Sequence, residues 1–122
     1  MYLKLKEESG SRLGFNEYQK FTHSTAIYPD IGGSPLVYPV LELNGEAGEL
    51  ADKLKKVFRD KNGVLLRKDI EGMALEAGDC LYAIAQIANH LGYTLEEIAQ
   101  MNMDKLQKRK VKGKIKGSGD DR

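Results

Sequence analysis

The sequence predicts an all-α protein, a four-helix-bundle-like protomer, and three observations carry that prediction. Apolar residues recur at helical pitch in the long segments, a capping box opens the last of them, and the breaks between them are rich in Gly and Pro. Residues 1 to 12 are charged and show no clear periodicity. Asn16 is placed to cap a short first helix from Glu17 to Ser24. Pro29, Asp30, Gly32, Gly33, Pro35 and Pro39 then make a loop from Tyr28 to Pro39, long enough to close over a ligand.

Pro39 suits the first turn of a second helix, which runs to about Asp60 and ends at Lys61-Asn62-Gly63. At about 100° per residue, Glu42, Glu46, Glu49, Lys53 and Lys56 share an arc of roughly 80°. Leu43, Ala47, Leu50, Leu54, Val57 and Phe58 fill the arc beside it. After the brief apolar link Gly63-Val64-Leu65-Leu66, a third helix is expected from about Lys68 to His90, ending at Leu91-Gly92. Its stripe is Ile70, Met73, Ala77, Cys80, Ile84, Ile87 and Leu91, with Glu76 at the edge and Asp79 further round on that side. Thr94 and Glu97 form a capping box for a fourth helix through about Lys110, with Leu95, Ile98, Met101 and Leu106 as its apolar side. Asn102, Lys105 and Arg109 share that arc, so the inward side becomes polar toward the helix end, as the wall of a site would. Residues 111–122 read as a basic Gly-rich tail of a single domain spanning 1–122.

Composition narrows the function. With 122 residues the chain is long enough for a core yet small enough that an oligomer would help. The formal net charge of +1 argues against general attraction to nucleic acid or to a membrane surface, and the apolar runs fall far short of the roughly 20 residues a bilayer helix needs. A single cysteine, Cys80, and the lack of an apolar segment near Met1 point to the cytoplasm. Cys80 is most simply a small buried hydrophobe, and Tyr18, Phe21, Tyr28, Tyr38 and Tyr82 are core aromatics before they are base-stacking ones.

The chemistry concentrates in Glu46-Ala47-Gly48-Glu49 and Glu76-Ala77-Gly78-Asp79. Residues three apart lie on one side of a helix, so each stretch aims two carboxylates in similar directions. One such pair is ordinary on a solvated helix, whereas two pairs, each at the rim of an apolar stripe, ask for a cation. Oxygen-only ligands favour Mg2+ or Mn2+. A di-iron helical bundle would want Glu-x-x-His pairs, and neither His23 nor His90 follows a Glu at that spacing. Magnesium held by carboxylates commonly serves phosphoryl chemistry. Lys53, Lys56, Lys105, Arg109 and the basic tail are the cations available for phosphates, although Lys53 and Lys56 also sit where they would pair with Glu49 or Asp52. A P-loop, a Rossmann turn and a Ser-His-Asp set are not legible.

The run Leu43-Asn44-Gly45-Glu46-Ala47-Gly48-Glu49-Leu50, followed by Glu76-Ala77-Gly78-Asp79, resembles the MazG-like all-α nucleotide pyrophosphohydrolases, whose signature is E-E-x-x-E, a spacer, then E-x-x-D. Asn16-Glu17-Tyr18-Gln19 and Asn102-Met103-Asp104-Lys105-Leu106 extend the likeness, and the ending looks like that of compact phage-type or bacterial members. The resemblance implies Mg-dependent hydrolysis of nucleoside triphosphates to monophosphate and pyrophosphate. It makes Glu46, Glu49, Glu76 and Asp79 metal ligands, gives Asn102 and Lys105 contact with substrate phosphates, and implies a homodimer or homotetramer. The first acid of the signature is Gly45 here, with Glu42, one turn before Glu46, as a candidate stand-in. The alternative is a non-catalytic helical dimer whose basic tail binds nucleic acid or a protein partner.

Overall fold

A computed structural model describes residues 13–113. Four helices follow one another: α1 (Phe15–Thr25), α2 (Val37–Lys61), α3 (Arg67–Leu91) and α4 (Leu95–Val111). No strand occurs among the described residues, and a lone bridge between Ile31 and Ser34 pinches the loop before α2. The all-α, bundle-like expectation holds. The tail expected over 111–122 lies outside the described residues from 114 onward, and Val111 belongs to α4. No helix among the described residues is long and apolar enough to cross a membrane.

The helix ends differ from expectation by a few residues, for local reasons. Pro39 lies in the first turn of α2, two residues inside its start, where a missing N–H leaves no intrahelical bond unmade. Asn62 and Gly63, both at positive φ (52° and 78°), stop α2 and reverse the chain. Asp69 starts α3: its carboxylate accepts from the Leu66 N–H at 2.9 Å and from Lys61 Nζ at 2.7 Å, tying the end of α2 to the start of α3. The Thr94 and Glu97 capping box is present as read, with Thr94 Oγ1 accepting from the Glu97 N–H at 3.0 Å. Asn16 does not cap its own helix. That cap is Gly14 without a side-chain bond, while Asn16 Oδ1 accepts from the Glu96 N–H at the start of α4.

The chain is arranged around α3. Helix α2 packs antiparallel along it, pairing Lys61 with Asp69 and Lys53 with Glu76, whereas α1 and α4 pack on α3 and on each other. Among the described residues α2 packs on no helix but α3. The buried apolar cluster of Ala85, Ala88 and Leu95, with Tyr18, Ile84 and Ile98 against it, therefore sits where α3 meets α1 and α4. The stripe expected on α3 is not its most buried face: Ile70 and Leu91 are about half exposed, and the fully enclosed residues are Ala83, Ala85, Gln86 and Ala88. Small side chains let neighbouring backbones approach, so a helix covered on two sides buries its alanines.

Polar side chains of α1 lock this junction. Gln19, buried, donates from Nε2 to Asn89 Oδ1 at 2.8 Å and to the Tyr93 carbonyl at 2.9 Å, while its Oε1 accepts from the Leu95 N–H at 2.8 Å. Gln86 donates to Thr22 Oγ1 at 2.9 Å and accepts from Asn89 Nδ2. The first three N–H groups of α4 are thus satisfied by Gln19, Asn16 and Thr94 in turn. Replacing Gln19 by Ala strands the buried Leu95 N–H and is expected to cost about 2–3 kcal/mol of stability. Urea denaturation followed by circular dichroism checks this, with the exposed Glu17→Ala as a control that should change stability by less than about 0.5 kcal/mol.

Candidate functional site

Antiparallel packing of α2 on α3 carries the acids of one helix across to those of the other. Glu46 from α2 and Glu76 and Asp79 from α3 each bring a carboxylate oxygen to within 4.8 Å of the others. Three of the four expected acids converge. Glu49 lies outside this trio, exposed, but it lines a cavity of about 530 Å3 with Glu42, Gly45 and Glu46. The far wall of that cavity is apolar, made by Ile31, Tyr38 and Leu41.

Like charges at this spacing disturb one another. Burial, then Asp79, Glu76, Glu42 and Glu49 in turn, holds Glu46 above the ordinary glutamate range, and burial followed by Asp79 does the same to Glu42. Burial and then Asp79 also push the Tyr18 hydroxyl up; that hydroxyl donates to the Gly78 carbonyl at 3.5 Å, beside Asp79. Lys53 is drawn to the trio, its Nζ 3.5 Å from Glu76 Oε1. Three carboxylates from two helices form an all-oxygen donor set, and oxygens so spaced can share one hard divalent ion at about 2.0–2.6 Å from each. The residues present fit Mg2+ or Mn2+ and offer no imidazole or thiolate.

The basic residues separate into two groups. Lys53 and Lys56 line a cavity of about 250 Å3 on the hairpin, together with Lys61 and Lys68, which sequence reasoning had not singled out. The turn at Asn62 and Gly63 folds Lys68 back toward α2, and that fold has no signature in helical periodicity. Lys56 also pairs with Asp52 at 2.6 Å, as the ordinary helix-charge reading anticipates, and hydrogen bonds from Lys55 and Lys56 draw Asp52 down to about 2. Asn102 and Lys105 line a different cavity of about 270 Å3, with Ile98 and Met101. Arg109, farther along α4, is buried. Within the described chain these α4 residues do not join the trio, because α4 packs on α1 and α3 and not on α2. His90 stays outside the acid cluster: its Nε2 lies 2.6 Å from the Tyr28 hydroxyl.

These shifts fix a sign for stability against pH. Glu42 and Glu46 bind protons more tightly when folded, so the metal-free protein should lose melting temperature as pH rises above the ordinary value of 4.5. Asp52, Asp60 and Asp69 are held low by their lysine and arginine partners, so their contribution is lost as pH falls below 3.8. Thermal melts in chelator should therefore give highest stability in mild acid, and Glu46→Gln should flatten the decline above pH 4.5.

A family model for the MazG nucleotide pyrophosphohydrolase domain matches residues 39–113, which contain the trio, the cavities lined by Lys53 and by Lys105, and all of α3 and α4. The protein named Gene 37 protein, from Mycobacterium phage L5, is 44% identical over 109 residues, spanning 86% of this chain and 96% of that protein. No solved structure matches.

Proposed function

The chain belongs to the MazG nucleotide pyrophosphohydrolase family, and from that premise we propose that it hydrolyses nucleoside triphosphates, ribo or deoxy, to monophosphate and pyrophosphate with Mg2+ as cofactor and Mn2+ as a substitute. The observation that carries the reading is the convergence of Glu46, Glu76 and Asp79 within 4.8 Å across the α2–α3 hairpin. Glu49, three residues after Glu46 and lining the same cavity, is the fourth proposed ligand. A divalent ion so held supplies neutralisation of phosphate charge and lowers the pKa of a bound water.

The protein's own groups then divide the substrate between them. Lys53, in contact with Glu76, stands between the trio and the lysine-lined cavity, an arrangement suited to the phosphate chain. The cavity beside Glu46, walled by Ile31, Tyr38 and Leu41, suits the nucleoside end. Asn102 and Lys105 enter this reading as phosphate contacts supplied across an assembly, since α4 of the same chain does not reach α2, whereas Arg109, expected to join them, is buried within its own chain. The reading treats 1–122 as one domain that forms a homodimer or homotetramer through its helices. Support comes from apolar surface left uncovered on all four: Phe21, Leu41, Phe58, Leu75 and Met103 are each more than 60% exposed.

A panel of NTPs and dNTPs incubated with Mg2+ should release monophosphate and pyrophosphate, and chelator should abolish the release. Glu49→Ala and Asp79→Ala should each lower the rate at least about 100-fold with helicity retained; full activity in both variants would remove the site assignment. Light scattering should give a mass of two or four chains, and Phe58→Asp, which places a charge on the uncovered face, should lower it.

A further inference from the structure

At the end of the hairpin opposite its turn, Tyr28 and His90 form a contact that the reading above leaves without a role. The loop between α1 and α2, residues 26–36, carries Ile31 to the wall of the cavity beside Glu46, and Tyr38 joins that wall from the first turn of α2. Ile31 and Ser34 exchange backbone hydrogen bonds at 3.1 Å around Gly32 and Gly33, which ties this part of the loop to itself. Tyr28 ties it to the bundle. Its neighbours Ile27 and Pro29 are exposed, whereas Tyr28 is partly buried, with its hydroxyl 2.6 Å from His90 Nε2 near the end of α3. The Tyr28 ring also lies parallel to that of Tyr38, with centroids 5.0 Å apart and an angle of 5° between the planes. His90 in turn meets His23 of α1 edge to face at 6.4 Å, and His23 Nδ1 lies 3.2 Å from Oε1 of the enclosed Gln86. A line of contacts thus runs from the α1–α3 junction through His90 and Tyr28 to the aromatic wall of the cavity. A ligand that packs on such a wall binds more tightly when the wall is already in place, because ordering it would otherwise draw on the binding energy.

We propose that Tyr28 and His90 are positioning residues for the nucleoside of the substrate, their hydrogen bond holding Ile31 and Tyr38 as a ready-made wall. This rests on the reading of that cavity as the nucleoside end of a nucleoside triphosphate site, and the test separates the two. Tyr28→Phe keeps the ring and its stack and removes the hydroxyl; His90→Leu removes the partner; His90→Gln puts an amide, both donor and acceptor, where Nε2 stood. With Mg2+ and the nucleotide turned over fastest, Tyr28→Phe and His90→Leu should raise KM about fivefold with kcat within about twofold of wild type. His90→Gln should keep KM within about twofold of wild type, and inhibition by the product pyrophosphate, which carries no nucleoside, should be the same in every variant. Hydrogen exchange of the free protein should be about fivefold faster in Tyr28→Phe for amides of residues 31–38 and unchanged along α4.

Faster exchange with KM unchanged, or a fall in kcat alone, would overturn the role in binding and leave the proposed function standing. A raised KM without faster exchange would overturn the claim that the bond works by holding the wall. His90→Gln as impaired as His90→Leu would overturn the hydrogen bond as the basis, and pyrophosphate inhibition weakened in step with KM would overturn the assignment to the nucleoside end. A wild type that turns over no nucleotide would overturn the proposed function and this role with it.

Discussion

Everything at the site depends on forcing like charges together across one helix–helix contact. Three carboxylate oxygens within 4.8 Å repel, and at this separation each pair costs about 1 kcal/mol in water and up to about 4 kcal/mol near a protein surface. The α2–α3 packing must supply that energy from elsewhere. It does so at the hairpin's ends. Asp69 and Lys61 clamp the turn, where Val57 is buried, and at the other end Pro39 of α2 is enclosed. Between these ends, from residue 40 to 56 on α2 and from 67 to 82 on α3, no side chain is fully buried. The acids occupy the span whose position is fixed from both sides but which contributes little burial of its own.

That division explains the construction of the α1–α3–α4 junction. A core of alanines and one leucine buries little apolar area, so directional bonds specify the arrangement in its place. Gln19 and Gln86 are enclosed amides with their main hydrogen-bonding atoms engaged, and together they join α1 to both helices that flank the chain reversal at Gly92. Satisfied polar networks of this kind enforce one register, because a slip would leave several buried donors unpaired at once. The register they enforce on α3 also determines where Glu76 and Asp79 stand relative to α2.

How much of this was legible depends on what each residue's signal refers to. The four helices were legible because apolar pitch, Pro39, Asn62-Gly63 and the Thr94 box act on their own segments. Asn16 has the chemistry of a cap, but local sequence cannot say that it caps α4 and not α1. A single apolar stripe was read on α3, yet the helix is covered on two sides, and small enclosed residues such as Ala85 carry no periodic signal. At the site, the acid pairs were legible as pairs. Their convergence was legible only in part: three residues along a helix turn through about 300°, leaving Glu46 and Glu49 about 60° apart, and α2 brings only Glu46 into the close trio. Lys68 escaped notice because a turn, not a periodicity, brings it to Lys53, Lys56 and Lys61 of α2.

The same two-ended hairpin bears on why the apolar surface of α2 is left open. Helix α2 meets α3 along one side, and no other described helix covers its remaining faces, so Leu41 and Phe58 stand in solvent at opposite ends of the acid-bearing span. Covering them within the chain would require α1 or α4 to cross α2, which would close the cavity beside Glu46 and Glu49. Leaving α2 bare on that side keeps that cavity open, at a cost in exposed apolar area. Access to the acids and incompleteness of the core are therefore two consequences of one arrangement, in which α2 packs on no described helix but α3.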